Sequence, residues 1–201
     1  MIPADLLLEG YRTGIFPMAM DGGGIGWFSP DPRAIIPLET FHVPHGLRRA
    51  LRKNPPFEMR VDASFERVIR ECAAREETWI SEEIIESYCN LNRLGFAHSV
   101  EAWRDGRLAG GLYGVTLGAA FFGESMFHSE TDASKVALHF LVQTLRHSGF
   151  RLLEVQWLTP HLESFGAIEI PRADYLKLLA ASTQGIPTRK AMMPASWPSA
   201  P

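Results

Sequence analysis

The chain has 201 residues, 46% of them hydrophobic and 21% charged, which is the composition of a globular protein with a real apolar core. Its formal net charge at pH 7 is -3, so no overall positive field attracts nucleic acid and any such binding must use a local patch. No apolar run reaches the length of a membrane span and no signal peptide is recognisable, so we expect a cytoplasmic protein that does not enter a membrane.

The first 56 residues predict a small N-terminal domain. Pro3 and Gly14 bound a predicted helix with one apolar face. A loop rich in glycine and proline follows, and it carries four large apolar side chains: Phe16, Met18, Trp27 and Phe28. Such side chains in an irregular segment either staple the loop to the core or form a stacking surface, and we favour the staple.

A basic helix is predicted from His45 to Lys53. Four of its cations lie close together in the sequence: Arg48, Arg49, Arg52 and Lys53. Such a cluster is either a solvated face or a set of contacts to nucleic-acid phosphates, since Lys and Arg supply the sequence-independent part of that affinity. Pro55-Pro56 then interrupts the chain, and we place the domain boundary there.

Residues 57–181 predict a second, larger domain of mixed α/β class. After a first short strand, its elements follow the order helix, helix, hairpin, strand, helix, strand, helix, and Asp105-Gly106 marks the hairpin turn. This order matches the sheet-with-helices plan of the acetyltransferase-like (GNAT-like) acyltransferases, which on pattern alone is one of several folds that fit. From residue 182 the chain is rich in proline and serine, and we expect a loosely held tail at 182–201.

The stretch 119–135 has the features of a binding site. An apolar strand breaks at Gly123 and then presents a lone carboxylate, Glu124, among apolar and aromatic residues. Asp132 is predicted to cap the helix that starts at about Ala133, because its carboxylate can accept from free N–H groups of the first turn. The simpler interpretation is a strand end with an ordinary surface acid.

The predicted strand from Phe150 to Trp157 places two polar side chains on one face, because side chains alternate along a strand. These are Glu154 and Gln156, and the apolar neighbours indicate that the strand is buried. Buried polar groups must be paired. Both side chains therefore either bridge structural groups or face a site.

Eight short strings occur in one order along the chain: Gly14-Ile-Phe-Pro17, Trp27-Phe-Ser-Pro-Asp-Pro-Arg33, Thr78-Trp-Ile80, Ala97-His-Ser-Val-Glu-Ala-Trp103, Gly110-Gly-Leu-Tyr-Gly114, Gly123-Glu-Ser-Met-Phe127, Ala133-Ser-Lys135 and Gly166-Ala-Ile-Glu-Ile-Pro-Arg172. Each string alone is weak, but the ordered set is highly specific. Through it the chain resembles the bacterial leucyl/phenylalanyl-tRNA–protein transferases from about Leu6 to Leu179.

The resemblance implies an enzyme that moves Leu or Phe, and more weakly Met, from an aminoacyl-tRNA to the N-terminal Arg or Lys of an acceptor protein. The product carries an N-end rule degradation signal. The resemblance also implies an acetyltransferase-like catalytic domain behind a small N-terminal domain, with no metal, no ATP and no other cofactor. The implied partners are aminoacyl-tRNA and acceptor proteins, and we expect a monomer.

The motifs also imply residue roles. Glu124 is expected to hold the α-amino group of the aminoacyl moiety, Gln156 to contact the incoming amine and Glu154 to back Gln156. Three residues resemble the wall of the amino-acid pocket: Phe121, Met126 and Leu138. Three others resemble contacts to the terminal adenosine: Tyr11, Met18 and Trp79.

The chain departs from the family pattern at four positions. Met18 stands where many members have Trp, and Glu154 stands where they have Asp. His128 and Asp132 replace a usual Ser and a usual Asn.

Two other functions are alternatives to this one. An acyl-CoA acyltransferase needs a glycine-rich pyrophosphate turn, whereas the turn at residues 129–134 is acidic and lacks glycine. A non-catalytic binding module would leave Glu124, Glu154 and Gln156 without a role.

Overall fold

The computed structural model describes residues 1–53 and 56–184. Its helices are α1 (Ala4–Arg12), α2 (His45–Leu51), α3 (Phe65–Ala73), α4 (Glu82–Leu94), α5 (Ala133–His147), α6 (Pro160–Glu163) and α7 (Arg172–Thr183). Its strands are β1 (Phe16–Ala19), β2 (Ile25–Phe28), β3 (Arg33–Ile35), β4 (Glu58–Val61), β5 (Ala97–Arg104), β6 (Arg107–Leu117), β7 (Ala120–His128), β8 (Leu152–Glu154) and β9 (Ile168–Ile170). No helix in these two ranges is long and apolar enough to cross a membrane.

A large mixed sheet organises the molecule. Its strand order is β4-β5-β6-β7-β8-β3-β9, and every neighbouring pair is antiparallel except β7 and β8, which are parallel. β1 and β2 form a separate two-stranded ribbon. The predicted mixed α/β class is confirmed, and the order β4, α3, α4, β5, β6, β7, α5, β8 follows the predicted acetyltransferase-like plan.

Two apolar cores lie on the two faces of the sheet. On β6, Tyr113 and Val115 belong to the core formed with α1, α3, α4 and α7, whereas Leu112 belongs to the core formed with α2 and α5. The same alternation places Phe122 in the first core and Phe121 in the second. This pattern follows from the period of two along a strand, because consecutive side chains point to opposite faces.

The predicted domain boundary at Pro55-Pro56 does not divide the hydrophobic core. Strand β3, which precedes it, lies inside the large sheet between β8 and β9, and α1 packs in the same core as α4 and α7. Pro55 itself lies outside the described residues. The predicted tail also begins too early, since α7 continues to Thr183 and the Ser182 carbonyl accepts the N–H of Ala119 at 2.7 Å.

Two predicted turns have different outcomes. The hairpin at Asp105-Gly106 is confirmed: it joins β5 to β6, and both residues have positive φ, 50° and 72°. The helix after Asp132 does begin at Ala133, but the predicted side-chain cap is wrong. Asp132 has a left-handed φ of 71°, and its carboxylate accepts from Lys135 Nζ at 2.7 Å instead of from a first-turn N–H.

Glycines on one face of β6 let helix α5 and the residues of the neighbouring strand β7 come close to β6. A Cβ on Gly110 would lie 2.7 Å from the Cβ of Ala133, at the start of α5. A Cβ on Gly114 would overlap the carbonyl oxygen of Phe122 and the ring of Phe121. Close packing thus explains the glycines at both ends of the string Gly110-Gly-Leu-Tyr-Gly114.

We predict that Gly114→Ala lowers the free energy of unfolding by about 1–3 kcal/mol or more, because the methyl group overpacks a site bounded by backbone. Gly46→Ala is the matched control, since a Cβ at Gly46 in α2 meets nothing within 4 Å. The control should gain about 0.5–1 kcal/mol from helix propensity. Urea unfolding of both variants measures this, and equal stabilities would contradict the packing argument.

Candidate active site

A cavity of about 300 Å³ opens where the pairing of β7 with β8 ends. The last paired residues are Phe122 and Glu154. Beyond this pair, residues 123–126 of β7 form one side of the cavity and residues 155–157 form the other. The site therefore lies at a break in the sheet, between the two cores.

The cavity has an apolar wall and a polar wall. The apolar wall comes from the core around α5: Leu112, Met126, Leu138, Leu141 and Leu153. The polar wall carries Tyr113, Glu124 and Gln156. Aromatic and thioether side chains also line the cavity: Phe16, Met18, Trp79 and Trp157. A few convergent polar groups in an apolar cavity are typical of a small-molecule site.

A β-bulge aims Glu124 into this cavity. In the register of β6 against β7, Tyr113 faces Ser125 and Gly114 faces Gly123, so Glu124 is left without a cross-strand partner. Bulges are a common means of redirecting one side chain at a site. Glu124 is only 8% exposed, which rules out the interpretation as an ordinary surface acid.

Two tyrosines hold the Glu124 carboxylate. Its Oε1 accepts from the Tyr11 hydroxyl at 2.7 Å and from Gln156 Nε2 at 3.4 Å, and its Oε2 accepts from the Tyr88 hydroxyl at 3.4 Å. The hydroxyls of Tyr11 and Tyr88 also share a hydrogen bond. Residues from α1, α4 and the segment after β8 thus converge on one carboxylate.

Burial raises the pKa of the Glu124 carboxyl to about 8, and the negative charge of Glu154 adds to the rise. The hydrogen bond from Tyr11 and the positive charge of Arg33 act in the opposite direction. The carboxyl therefore takes up and releases its proton near neutral pH. A cationic group entering the cavity would stabilise the ionised form.

The predicted strand through residue 157 ends earlier, at Glu154. Gln156 has a left-handed φ of 57°, so Glu154 and Gln156 do not share a strand face as predicted. Glu154, which is completely buried, instead accepts the backbone N–H of Gln156 at 2.6 Å through Oε1. The acid supports Gln156 through the backbone and not through the amide side chain.

Arg33 is the partner of Glu154 and was missed by the sequence interpretation. Its Nε donates to Glu154 Oε1 at 2.6 Å, and its guanidinium is 1% exposed. Nη1 donates to the carbonyl of Gly14 at 3.0 Å, and the guanidinium lies over the rings of Phe16 and Tyr175, 4.9 and 4.5 Å from their centroids. The available signal was a charged residue that opens an apolar strand, because buried arginines need a partner.

The structure brings six of the predicted site residues to the cavity: Met18, Trp79, Glu124, Met126, Leu138 and Gln156. Three others do not line it. Tyr11 is 1% exposed and its hydroxyl donates to Glu124, so its contact with the terminal adenosine stays a prediction. Phe121 is fully buried against Gly114, and Glu154 is held behind Gln156.

Among the lining residues that were not predicted are Arg75, Tyr113, Trp157 and His161. Arg75 donates to the Met126 carbonyl from the segment after α3. Trp157 is 43% exposed and meets the ring of Phe16 edge-on, with centroids 5.2 Å apart. These contacts join segments that are distant in sequence, so local patterns carry little signal for them.

The predicted basic helix is α2, followed by Arg52 and Lys53. Its four cations border a surface depression of about 880 Å³ together with His45, Thr131 and Asp132. None of the four makes an ion pair with a carboxylate among residues 1–53 and 56–184. The depression adjoins the start of α5, where Asp132 holds Lys135. The positive charge of Lys135 lowers the pKa of His161, after the larger effect of burial.

Comparison with known proteins decides the family. The family model described as leucyl/phenylalanyl-tRNA protein transferase matches residues 35–180, and the model of its N-terminal domain matches residues 1–31. The chain belongs to this family. A protein of Paramagnetospirillum magneticum named leucyl/phenylalanyl-tRNA–protein transferase is 56% identical over 185 residues, which cover 89% of this chain and 88% of that protein.

A second relative of the same name, from Rubrobacter xylanophilus, is 56% identical over 177 residues, covering 88% of this chain and 92% of that protein. Among solved structures, a GCN5-related N-acetyltransferase-like protein from Streptococcus suis aligns with a TM-score of 0.39 at 13% identity, over 83% of this chain and 63% of that one. Membership of the transferase family rests on the sequence matches, which cover nearly all of the described residues.

The raised pKa of Glu124 predicts a pH-dependent stability. Between about pH 4.5 and about pH 8 the unfolded carboxyl ionises while the folded one stays protonated, so the free energy of unfolding falls as pH rises. Glu124→Gln removes this ionisation. The free energy of unfolding of the variant, minus that of wild type, should therefore increase over this range and level off above about pH 8.

Urea unfolding at several pH values measures the difference. Glu163→Gln, at an exposed acid of α6, is the matched control and should run parallel to wild type. If the free energy of unfolding of Glu124→Gln also runs parallel to that of wild type, the Glu124 carboxyl is ionised over the whole pH range. The hydrogen bonds and charges around it would then offset the effect of burial on its pKa.

Proposed function

We propose that this protein transfers leucine or phenylalanine, and methionine more weakly, from aminoacyl-tRNA to the N-terminal Arg or Lys of acceptor proteins. The observation that carries the proposal is the cavity, in which one buried carboxylate and one amide face an apolar wall in a chain of this family. The new peptide bond would mark the acceptor for N-end rule degradation. Such a reaction belongs to the cytoplasm, where charged tRNA is available.

The apolar wall suits the side chain of the donor amino acid. Its residues offer methyl, methylene and thioether groups and no hydrogen-bonding side chain: Leu112, Met126, Leu138, Leu141 and Leu153. A pocket of this kind selects by size and apolarity. Leucine, phenylalanine and methionine are apolar, long and unbranched at Cβ, which supports these three as donors.

The carboxylate of Glu124 suits the α-amino group of the same donor. It lies in the polar wall of the cavity, whose apolar side would hold the side chain. Because burial makes the isolated negative charge costly, an ammonium group beside it lowers the free energy of the ionised form. The donor would thus be held at two ends of one amino acid.

The chemistry needs alignment more than activation. The aminoacyl ester is already activated, and the acceptor's α-amine has a pKa of about 7.7–8.0 in model peptides, so an appreciable share is neutral at cellular pH. The amine nitrogen forms the C–N bond, the ester C–O bond breaks, and the proton lost by nitrogen balances the proton gained by the ribose oxygen. Holding ester and amine in line supplies much of such a rate.

Gln156 would orient the incoming amine. Its left-handed backbone and the hydrogen bond from its N–H to Glu154 fix where the side chain starts, and its Nε2 lies 3.4 Å from Glu124. Its amide oxygen can accept from an amine but is not a base. Glu154, paired with Arg33 and fully buried, acts as a positioning residue.

We expect labelled leucine and phenylalanine to pass from charged tRNA to an Arg-initiated peptide, and isoleucine to pass poorly because of its branched Cβ. Gln156→Ala and Glu124→Ala should each lower turnover at least about tenfold, because the alignment of ester and amine supplies much of the rate. A filter assay measures transfer, with circular dichroism to check folding.

Gln143→Ala, on α5 outside the cavity, is the matched glutamine control and should keep wild-type turnover. Acetyl-CoA serves as a second donor for the rival activity. Full activity of both cavity variants, or transfer from acetyl-CoA alone, would overturn the proposal.

The basic surface beside α2 is proposed to contact tRNA phosphates. The double variant Arg49→Glu with Arg52→Glu should raise the KM for charged tRNA and flatten its salt dependence, because phosphate contacts release counterions. Use of a minimal aminoacyl-adenosine donor should stay nearly unchanged, since this donor has no distant phosphates.

The double variant Arg12→Glu with Arg67→Glu is matched in net charge and changes α1 and α3, which pack on the other face of the sheet. It should leave the KM for tRNA near that of wild type. If the α2 variant impairs both donors equally, α2 is structural and the tRNA body binds elsewhere.

A further inference from the structure

Tyr113 is a buried tyrosine whose hydroxyl is not bonded within the described part of the chain. It lies on β6, is 0% exposed and lines the cavity. Its hydroxyl has no hydrogen-bond partner among residues 1–53 and 56–184. It shares the cavity wall with Glu124, which is central to the proposed site.

The ring of Tyr113 is fixed in place by aromatic neighbours. It meets the rings of Phe65 and Tyr88 edge-on, each with centroids 5.8 Å apart and interplanar angles of 78° and 85°. Because the ring is held on these sides, the hydroxyl has little freedom to turn toward another partner. The position of the Tyr113 side chain beside the cavity is therefore set by its packing in the fold.

An unpaired buried hydroxyl costs free energy, since it loses its hydrogen bonds to water and gains none. Phenylalanine would fill the same space without this cost. The contrast with Tyr11 and Tyr88 is informative, because the hydroxyls of both are bonded to Glu124. Of the three tyrosines beside this carboxylate, Tyr113 alone has a hydroxyl without a hydrogen-bond partner in the described part of the chain.

The charge beside Tyr113 indicates which ligand group it meets. After burial, the largest influence on its pKa is the negative charge of Glu124, which raises it further. The hydroxyl therefore lies in the field of a carboxylate, where a cationic N–H donor is favoured over a second oxygen acceptor. An ammonium group carries three N–H donors, more than Glu124 alone satisfies.

We propose that the hydroxyl oxygen of Tyr113 accepts a hydrogen bond from the α-ammonium group of the aminoacyl donor, beside the carboxylate of Glu124. This inference rests on the proposed function, which supplies the identity of the ligand. It adds a specificity: two acceptors converge on the α-nitrogen, so donors that lack the free amine lose both contacts.

The test compares wild type with Tyr113→Phe on two minimal donors, phenylalanyl-adenosine and 3-phenylpropionyl-adenosine, which differ only in the α-amine. We expect kcat/KM for the first donor to fall about tenfold, mainly through KM, which is the size of one lost hydrogen bond to a charged group. For the second donor we expect no change. Equal losses on both donors, or no loss on either, would show that the hydroxyl does not bind the amine.

A binding measurement makes the test independent of turnover. An amide-linked analogue of phenylalanyl-adenosine should raise the Tm of wild type more than that of Tyr113→Phe, and equal shifts would refute the contact. Failure of the proposed function gives a different result, because wild type would then transfer phenylalanine neither from tRNA nor from the minimal donor.

The ligand-free variants separate this role from a structural one. Tyr113→Phe should have a Tm equal to or above that of wild type, since it removes an unpaired hydroxyl. Tyr88→Phe, the matched control, should lower the Tm because its hydroxyl is bonded in the folded state. A clear loss of Tm in Tyr113→Phe would mean that the hydroxyl stabilises the fold, and the inference would fall.

Discussion

The buried ion pair between Arg33 and Glu154 is the interaction on which the rest of the structure depends. It joins β3 to the end of β8, and the same guanidinium also binds the Gly14 carbonyl and lies between the rings of Phe16 and Tyr175. Removing one partner of such a pair typically costs about 3–5 kcal/mol, because a buried charge is left uncompensated. The early segment of the chain is therefore locked into the sheet, which explains why prolines at 55 and 56 do not mark a division of the core.

The geometry of the cavity follows from this pair. Arg33 fixes Glu154 through Oε1, and the same oxygen accepts the N–H of Gln156, whose left-handed backbone then directs its amide toward Glu124. Non-glycine residues in this conformation cost free energy and persist only where the surroundings hold them. The functional side chains are thus positioned by a chain of contacts that begins outside the cavity.

The fold class, the hairpin at Asp105-Gly106 and the position of Glu124 and Gln156 in one site could be predicted from the sequence, because each rests on a local pattern or a motif. It did not reveal the bulge that aims Glu124, since a bulge depends on the register of two strands. Tyr113 was hidden for a related reason: its neighbours come from other elements, and an unpaired hydroxyl is visible only in three dimensions. The expected cap at Asp132 failed because the carboxylate found a stronger partner in Lys135.

The parallel pairing of β7 with β8 extends over only three residue pairs, from Ala120–Leu152 to Phe122–Glu154. This short seam joins the antiparallel strands β4 to β7 with the group formed by β8, β3 and β9. Local opening of a protein is easiest where few backbone hydrogen bonds must break. The seam is therefore one of the lines along which the sheet would open under mechanical load, together with the shorter β3–β8 pairing, and a molecule in the cavity that touches residues on both sides of the seam would hold it closed.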